Sequence, residues 1–151
     1  MELKSPAFQE GAKIPKKYSC EGWDFSLPLA WNEVPEKTQS QALIMDDPDA
    51  PGGVFTHWVL FNLPPNSREL LEGVSPVPQL PDGALQGKND FGKFGYGGPC
   101  PPPGSPHRYC STLYALDQQL ELGAGASRKQ LLSAMEGHIL AQGQLTGTYQ
   151  R

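Results

Sequence analysis

No stretch of this chain approaches the roughly 18 consecutive apolar residues that a membrane-spanning helix needs, and no block of like charges interrupts it. Basic residues are in the minority: 12 Lys and Arg stand against 16 Asp and Glu, for a formal net charge of −4. A nucleic-acid or anionic-membrane surface calls for a basic face, so neither is expected as a partner. Cysteine is sparse, with Cys20, Cys100 and Cys110 only, and no C-x-x-C pair occurs. That argues against a zinc knuckle and against a disulfide scaffold. The first residues, Met1 to Pro6, lack the basic-then-apolar order of a secretory signal. The expectation is a cytoplasmic protein with three free thiols.

What the chain has in abundance is Gly (17) and Pro (16) among 151 residues. The prolines interleave with apolar runs instead of repeating, which favours turn-rich β structure over long helices. The length fits one domain over residues 1–151, large enough to fold without a staple. Strands are predicted at Leu27–Trp31, Gln41–Met45, Thr56–Leu63, His107–Leu116 and Leu145–Tyr149, each apolar or β-branched and bounded by turn residues. One helix is predicted, opened by a Ser127-x-x-Gln130 capping box. Its apolar stripe runs through Leu131, Leu132, Met135, Ile139 and Leu140 toward Gly143, with His138 a structural residue on it. Between them, residues 74–104 read as one long Pro- and Gly-rich loop, and loops of that length usually carry function.

Generic motifs fail on spacing. Gly83 to Asn89 is one residue short of a P-loop and lacks its Ser/Thr, and Gly123-x-Gly125 has Arg128 where the dinucleotide fingerprint needs glycine. A denser cluster is Asp46-Asp47-Pro48-Asp49-Ala50-Pro51-Gly52-Gly53. Asp-Pro turns are common, but three carboxylates in four residues exceed what a turn needs, and His57 is a candidate partner. Alternation along its strand places His57 with Val59, Phe61 and Leu63, where a histidine is more often a satisfied core residue than a ligand. His107 and Tyr109 share a strand face directly after the Gly97–Pro106 segment, whose backbone could offer N–H groups. Two imidazoles, a phenol and loop N–H groups would suit an oxyanion. A carboxylate beside them could fix a histidine tautomer or accept from a ligand ammonium. Cys100 as a nucleophile beside a histidine, or His57, His107 and Asp47 as a metal site, are weaker alternatives. Arg108, on the opposite face, reads as an ion-pair partner.

Several segments together resemble the phosphatidylethanolamine-binding protein family, in its bacterial and archaeal, Raf-kinase-inhibitor-like branch. They are Ser5-Pro6-Ala7-Phe8, Asp47-Pro48-Asp49-Ala50-Pro51, Thr56-His57-Trp58, Gly87-Lys88-Asn89-Asp90-Phe91-Gly92, Gly97-Gly98-Pro99-Cys100-Pro101-Pro102, His107-Arg108-Tyr109 and Gly147-Thr148-Tyr149. The resemblance implies a mainly β, Greek-key β-sandwich with peripheral helices and a small anion pocket at one end of the sheet. Carried over residue by residue, it implies a pocket of Asp47, His57, His107 and Tyr109, a rim at Gly98-Pro99, and support from Asp49, Pro48 and Pro51. The chain departs from that pattern by a third Pro and a Gly-Ser-Pro insert between Cys100 and His107, and by a short stretch after the Asp-Pro-Asp-Ala-Pro motif.

The leading expectation is a non-enzymatic protein binding a small phosphorylated or carboxylated anion, with no cofactor and no metal. Inhibition of a serine protease or kinase through the Pro/Gly loop is the second reading. A weak hydrolase using His57 or His107 as general base is the third. A homodimer is expected from the resemblance, with Phe91, Phe94 and Tyr96 as a possible apolar patch.

Overall fold

The computed structural model describes all 151 residues. Eight strands form two antiparallel sheets: β1 (Glu2–Lys4), β2 (Leu29–Asn32), β3 (Ser40–Asp47), β4 (Phe55–Leu63), β5 (Glu69–Leu70), β6 (Leu85–Gln86), β7 (His107–Leu116) and β8 (Ile139–Tyr149). A single helical turn spans Lys16–Tyr18, and one α-helix, α1, spans Arg128–Met135. The small sheet has the order β1-β2-β5 and the large one β6-β4-β3-β7-β8. After the β3–β4 hairpin the chain makes β6 and returns as β7 on the free edge of β3, so β7-β3-β4-β6 lie in Greek-key order. The architecture is the expected mainly β sandwich.

The large sheet is covered on both faces. Leu43, Met45, Trp58, Leu60, Tyr109, Leu113 and Leu145 pack against Leu3, Leu29, Trp31 and Leu70 of the small sheet. Ala42, Ile44, Val59, Phe61 and Leu116 pack on the other face against Leu131 and Met135 of α1. This double burial explains why the central strands read as nearly continuous apolar runs. Two tryptophans bridge the sheets to the loops through buried glutamines. Trp31 Nε1 donates to Gln41 Oε1 (2.9 Å), whose Nε2 donates to the Pro64 and Ser67 carbonyls. Trp58 Nε1 donates to Gln86 Oε1 (2.9 Å), whose Nε2 donates to Ser75 and Val77. Each buried amide is thus satisfied, and two loops are pinned by side chains where strand pairing is lacking.

Two register steps shape β4. Leu43 pairs with Leu60 but Gln41 with Leu63, so β4 carries one surplus residue. Asn62 takes a left-handed φ of 54° there and bonds the backbone of Leu120 in both directions. Leu63 therefore joins the inter-sheet core, not the face of Val59 and Phe61. The second step lies between Met45↔Trp58 and Asp46↔Thr56 and makes His57 the surplus residue. Along β8, Gly147 admits the N-terminal segment: a Cβ there would sit 2.6 Å from Ile14 and 2.7 Å from Phe8. That closeness lets Gly11 N–H reach Thr146 O (2.7 Å) and Ile14 N–H reach Thr148 O (2.8 Å).

Three expectations need correction. The capping box forms as read, with Gln130 N–H donating to Ser127 Oγ and Ser127 N–H to Gln130 Oε1. The helix, however, stops at Met135, because Gly137 adopts a φ of 81° and ends it. Ile139 and Leu140 then belong to β8, where pairing with β7 outweighs helical spacing, and His138 lies in the intervening turn, bonded to Asp117 (2.9 Å). The expected Phe91–Phe94–Tyr96 patch does not form. Phe91 stacks on Phe55, Lys88 lies over Phe94, and Tyr96 packs on Trp58 with its hydroxyl on Tyr18 O.

The third correction concerns cysteine. Cys20 and Cys100 are bonded to each other with Cα atoms 5.4 Å apart, leaving Cys110 as the free thiol. No pattern near either residue announces this, since their separation is 80 residues and only folding makes them neighbours. Closing so long a loop stabilises the native state by about 4.5 kcal/mol on chain entropy alone. Denatured, unreduced protein should therefore show one thiol per chain to a thiol reagent and three after reduction. Reduction should also lower the unfolding free energy by several kcal/mol in denaturant titration.

Candidate functional site

The open end of the large sheet brings together residues from the hairpin loop of β3–β4, the start of β4, the start of β7 and the Pro-rich segment before β7. A cavity of about 160 Å³ is lined there by Asp47, Ala50, Pro51, Phe55, His57, Phe91, Cys100, Pro101, Pro102, His107 and Tyr109. At roughly 30 Å³ per water, it has room for about five waters, enough for an oxyanion with a short substituent. Proline and aromatic side chains make up much of its wall, and polar bonds made against such a wall are strengthened.

Asp47 ends β3 and is buried, opposite the half-buried Phe55 that starts β4. Its Oδ2 accepts from His107 Nδ1 at 2.7 Å, and its Oδ1 accepts from the Asp49 N–H at 2.8 Å. A carboxylate can only accept, so His107 carries its proton on Nδ1 and keeps Nε2 for another partner. The partner of Asp47 is thus His107, not the His57 that sequence order suggested. Asp49 braces this turn from outside. Arg108 donates to it through its backbone N–H (2.8 Å), Nε (3.0 Å) and Nη2 (2.8 Å). The guanidinium holds the Asp49 carboxyl down at about 2, with the Arg108 N–H adding to the effect.

His57 owes its position to the bulge. The surplus residue turns its ring to the side of Asp47, Phe55 and Tyr109 instead of that of Val59 and Phe61. There it meets Tyr109, Phe55 and Phe91 with ring centroids 5.2, 5.1 and 5.5 Å away. Its Nδ1 bonds the Gly97 carbonyl at 2.6 Å, which fixes the Nδ1–H tautomer in this ring too. Burial pushes the His57 pKa below its ordinary value, against the opposing pull of the Gly97 carbonyl and of Asp47 and Asp46. Glycine is required at position 97, because a Cβ would run into the Phe91 ring. Tyr109 is buried, and its hydroxyl has no hydrogen-bond partner. Burial first, and then the nearby Asp47 carboxylate, push its pKa up, so it stays a neutral phenol.

The site departs from the sequence reading at its rim. Gly98 and Pro99 do not line the cavity: the Gly98 N–H donates to Asp24 Oδ1 (2.8 Å), and Pro99 accepts from the Cys20 N–H (3.1 Å). The rim is instead Cys100, Pro101 and Pro102, and two of these three have no N–H to offer. Pro51 lines the mouth, whereas Pro48 does not line it and sits in the turn. Phe55 and Phe91 were missed as lining residues, although Phe55 directly precedes one motif already singled out and Phe91 lies within another. Cys100 is spent in the disulfide and is not a free nucleophile. The metal alternative also fails on geometry. No three His, Cys, Asp or Glu side chains gather closely enough to hold an ion, and both Asp47 oxygens are already bonded.

Comparison with known proteins follows the same lines. The family model described as phosphatidylethanolamine-binding protein matches residues 4–150. A UPF0098 protein of Methanothermobacter thermautotrophicus is 53% identical over 151 residues, covering 100% of this chain and 99% of its own. One from Aquifex aeolicus is 52% identical over 153 residues, covering 100% of this chain and 89% of its own. Among solved structures, a Chlamydia trachomatis homologue of phosphatidylethanolamine-binding protein superposes with a TM-score of 0.91 at 43% identity, over 99% of this chain and 97% of that one. E. coli YbcL, described as a member of the mammalian family of that name, gives a TM-score of 0.92 at 32% identity, over 99% and 98%. A match of this extent, in sequence and in fold, places the chain in the phosphatidylethanolamine-binding protein family.

Proposed function

We propose that this protein binds a small oxyanion, phosphate-like or carboxylate-like, in the cavity of Asp47, His57, His107 and Tyr109, and does not turn it over. The observation that carries the reading is the Tyr109 hydroxyl, buried without a partner on the wall that two tautomer-fixed imidazoles share. A buried donor left unmade costs about 1–3 kcal/mol, and an oxyanion inside the cavity would satisfy it. Both imidazoles reserve Nε2 for the ligand. A protonated Nε2 donates a charge-assisted bond, roughly twice the strength of a neutral one. Asp47 then serves chiefly to orient His107. The hydrolase alternative lacks a free nucleophile beside either histidine.

No helix is long and apolar enough to cross a membrane. A cytoplasmic location remains part of the proposal, on the condition that the Cys20–Cys100 bridge responds to the redox state there, because permanent disulfides are rare in that compartment. The homodimer now rests on the resemblance alone, since the aromatic patch offered for it is dispersed.

Sulfate is the cleanest probe, because it does not titrate near neutrality. In the free protein burial favours neutral His57, and bound sulfate favours its charged form, so binding takes up a proton. Calorimetric affinity for sulfate should fall as pH rises from 6 to 8, by up to about tenfold per unit for each proton taken up. Equal affinity at both ends would reject the paired-histidine site. Asp47→Asn should weaken sulfate binding about tenfold, through the loss of a charge-assisted bond to His107. Unchanged or tighter binding in calorimetry would show that repulsion by Asp47 outweighs its hold on His107. Sedimentation at micromolar concentration is expected to show a dimer, and a lone 16.4 kDa species would remove that part of the proposal.

A further inference from the structure

The Cys20–Cys100 bond joins the cavity wall to a fixed point outside it, and its two ends are held very unequally. Cys20 follows Ser19, whose buried hydroxyl lies 2.8 Å from Lys16 O and 2.9 Å from Tyr149 Oη and donates its one proton to either. Tyr149 in turn donates to Glu21 Oε1 at 2.6 Å, so this turn is anchored on both sides of Cys20. Cys100 opens the rim. Of the eight residues 99–106, five are proline and have no N–H to bond. Beyond Pro99, the rim's other ties are few: Arg151 Nε to Pro101 O (2.8 Å), Gln150 Nε2 to Gly104 O (2.6 Å) and Gly104 N–H to Arg151 O (3.3 Å). Each of these reaches the exposed Gln150–Arg151 segment. The covalent bond therefore joins the rim, whose Pro101 is buried, to the anchored turn of Cys20, beside the hydrogen bond from the Cys20 N–H to Pro99 O (3.1 Å).

The bond is also accessible. Cys20 is exposed and Cys100 half-buried, so an incoming thiolate reaches the Cys20 sulfur first. The Arg151 guanidinium lies 3.9 Å from that sulfur.

We infer that the Cys20–Cys100 disulfide is a redox latch on the anion cavity: oxidised, it holds the Cys100–Pro102 rim in place; reduced, it frees the rim and weakens anion binding. The inference rests on the oxyanion reading of the cavity and adds its regulation. The reductant is a dithiol. One of its thiolates attacks Cys20 Sγ, forming a mixed disulfide and expelling Cys100 as thiolate. Its second thiolate then displaces Cys20, and the reductant leaves as a cyclic disulfide. The two protein sulfurs gain two electrons in all and finish as thiols, taking up the two protons the dithiol releases. Because the prolines keep the segment locally stiff, it swings as a unit about its ends when released.

The test compares oxidised protein, dithiothreitol-reduced protein and the Cys20→Ser variant, all shown to be folded by circular dichroism. Hydrogen exchange is followed by mass spectrometry over residues 100–106 and 107–116, and sulfate affinity by calorimetry. The expected result is exchange at Gly104, whose N–H bonds Arg151 O, at least tenfold faster on reduction, with β7 unchanged, and sulfate binding at least tenfold weaker. Cys20→Ser should match the reduced protein without reductant. Unchanged exchange over 100–106, or an equal rise throughout β7, overturns the latch whatever sulfate does. A loosened rim with equal sulfate affinity in both forms overturns its control of the cavity. A loosened rim with sulfate bound by neither form keeps the latch and overturns the oxyanion reading instead.

Discussion

The geometry of the cavity depends on one surplus residue, His57, inserted in β4 where β3 steps from Met45 to Asp46. A strand of regular alternation would send His57 into the layer between sheet and helix, among Val59 and Phe61. The bulge instead turns it toward the sheet's other face at the point where β3 ends in Asp47 and β7 begins with His107 and Tyr109. The neighbours then fall into place: the Gly97 carbonyl fixes the His57 tautomer, Asp47 fixes that of His107, and the rings of Phe55 and Phe91 close the wall. Bulges recur next to functional sites because they re-aim a side chain without disturbing the rest of the ladder. Here the pairing of β3 with β7 runs on without a step beside it.

Around this point the molecule separates rigid from releasable parts. The large sheet is buried on both faces, and its Trp–Gln bridges hold the loops that carry the chain between layers. The rim segment is the opposite case, poor in N–H groups and tied by side chains and one covalent bond. A binding cavity with one firm wall and one conditional wall can hold its donors in place while its mouth changes. The electrostatics divide in the same way. Outside, Asp49 and Arg108 make an exposed pair of small energetic weight that chiefly shapes the turn. Inside, Asp47 and His107 sit where solvent screens little, and their bond fixes the orientation of the His107 ring.

The reach of the sequence can be stated from particular residues. Central strands, the capping box and the cluster of Asp47, His107 and Tyr109 were legible, because each depends on local pattern or on strand ends beside Pro/Gly turns. His57 is placed by alternation on the wrong face, since a bulge leaves no mark in an alternating pattern. Ile139 and Leu140 were read as helix because their spacing allows it, and only the edge of β7 made them strand. Gly98 and Pro99 were read as the rim, but the Gly98 amide is taken by Asp24, which lies 74 residues away in sequence.

The sequence by itself determined the mainly β class and the family, because these follow from periodicity, turn chemistry and motif order along the chain. Tertiary structure alone decided that Asp47 pairs with His107, that Tyr109 keeps an unspent hydroxyl, and that Cys20 meets Cys100. These are contacts between segments whose separation in sequence carries no trace of their separation in space. Each forms because two layers of core bring those segments within reach of a bond a few ångströms long.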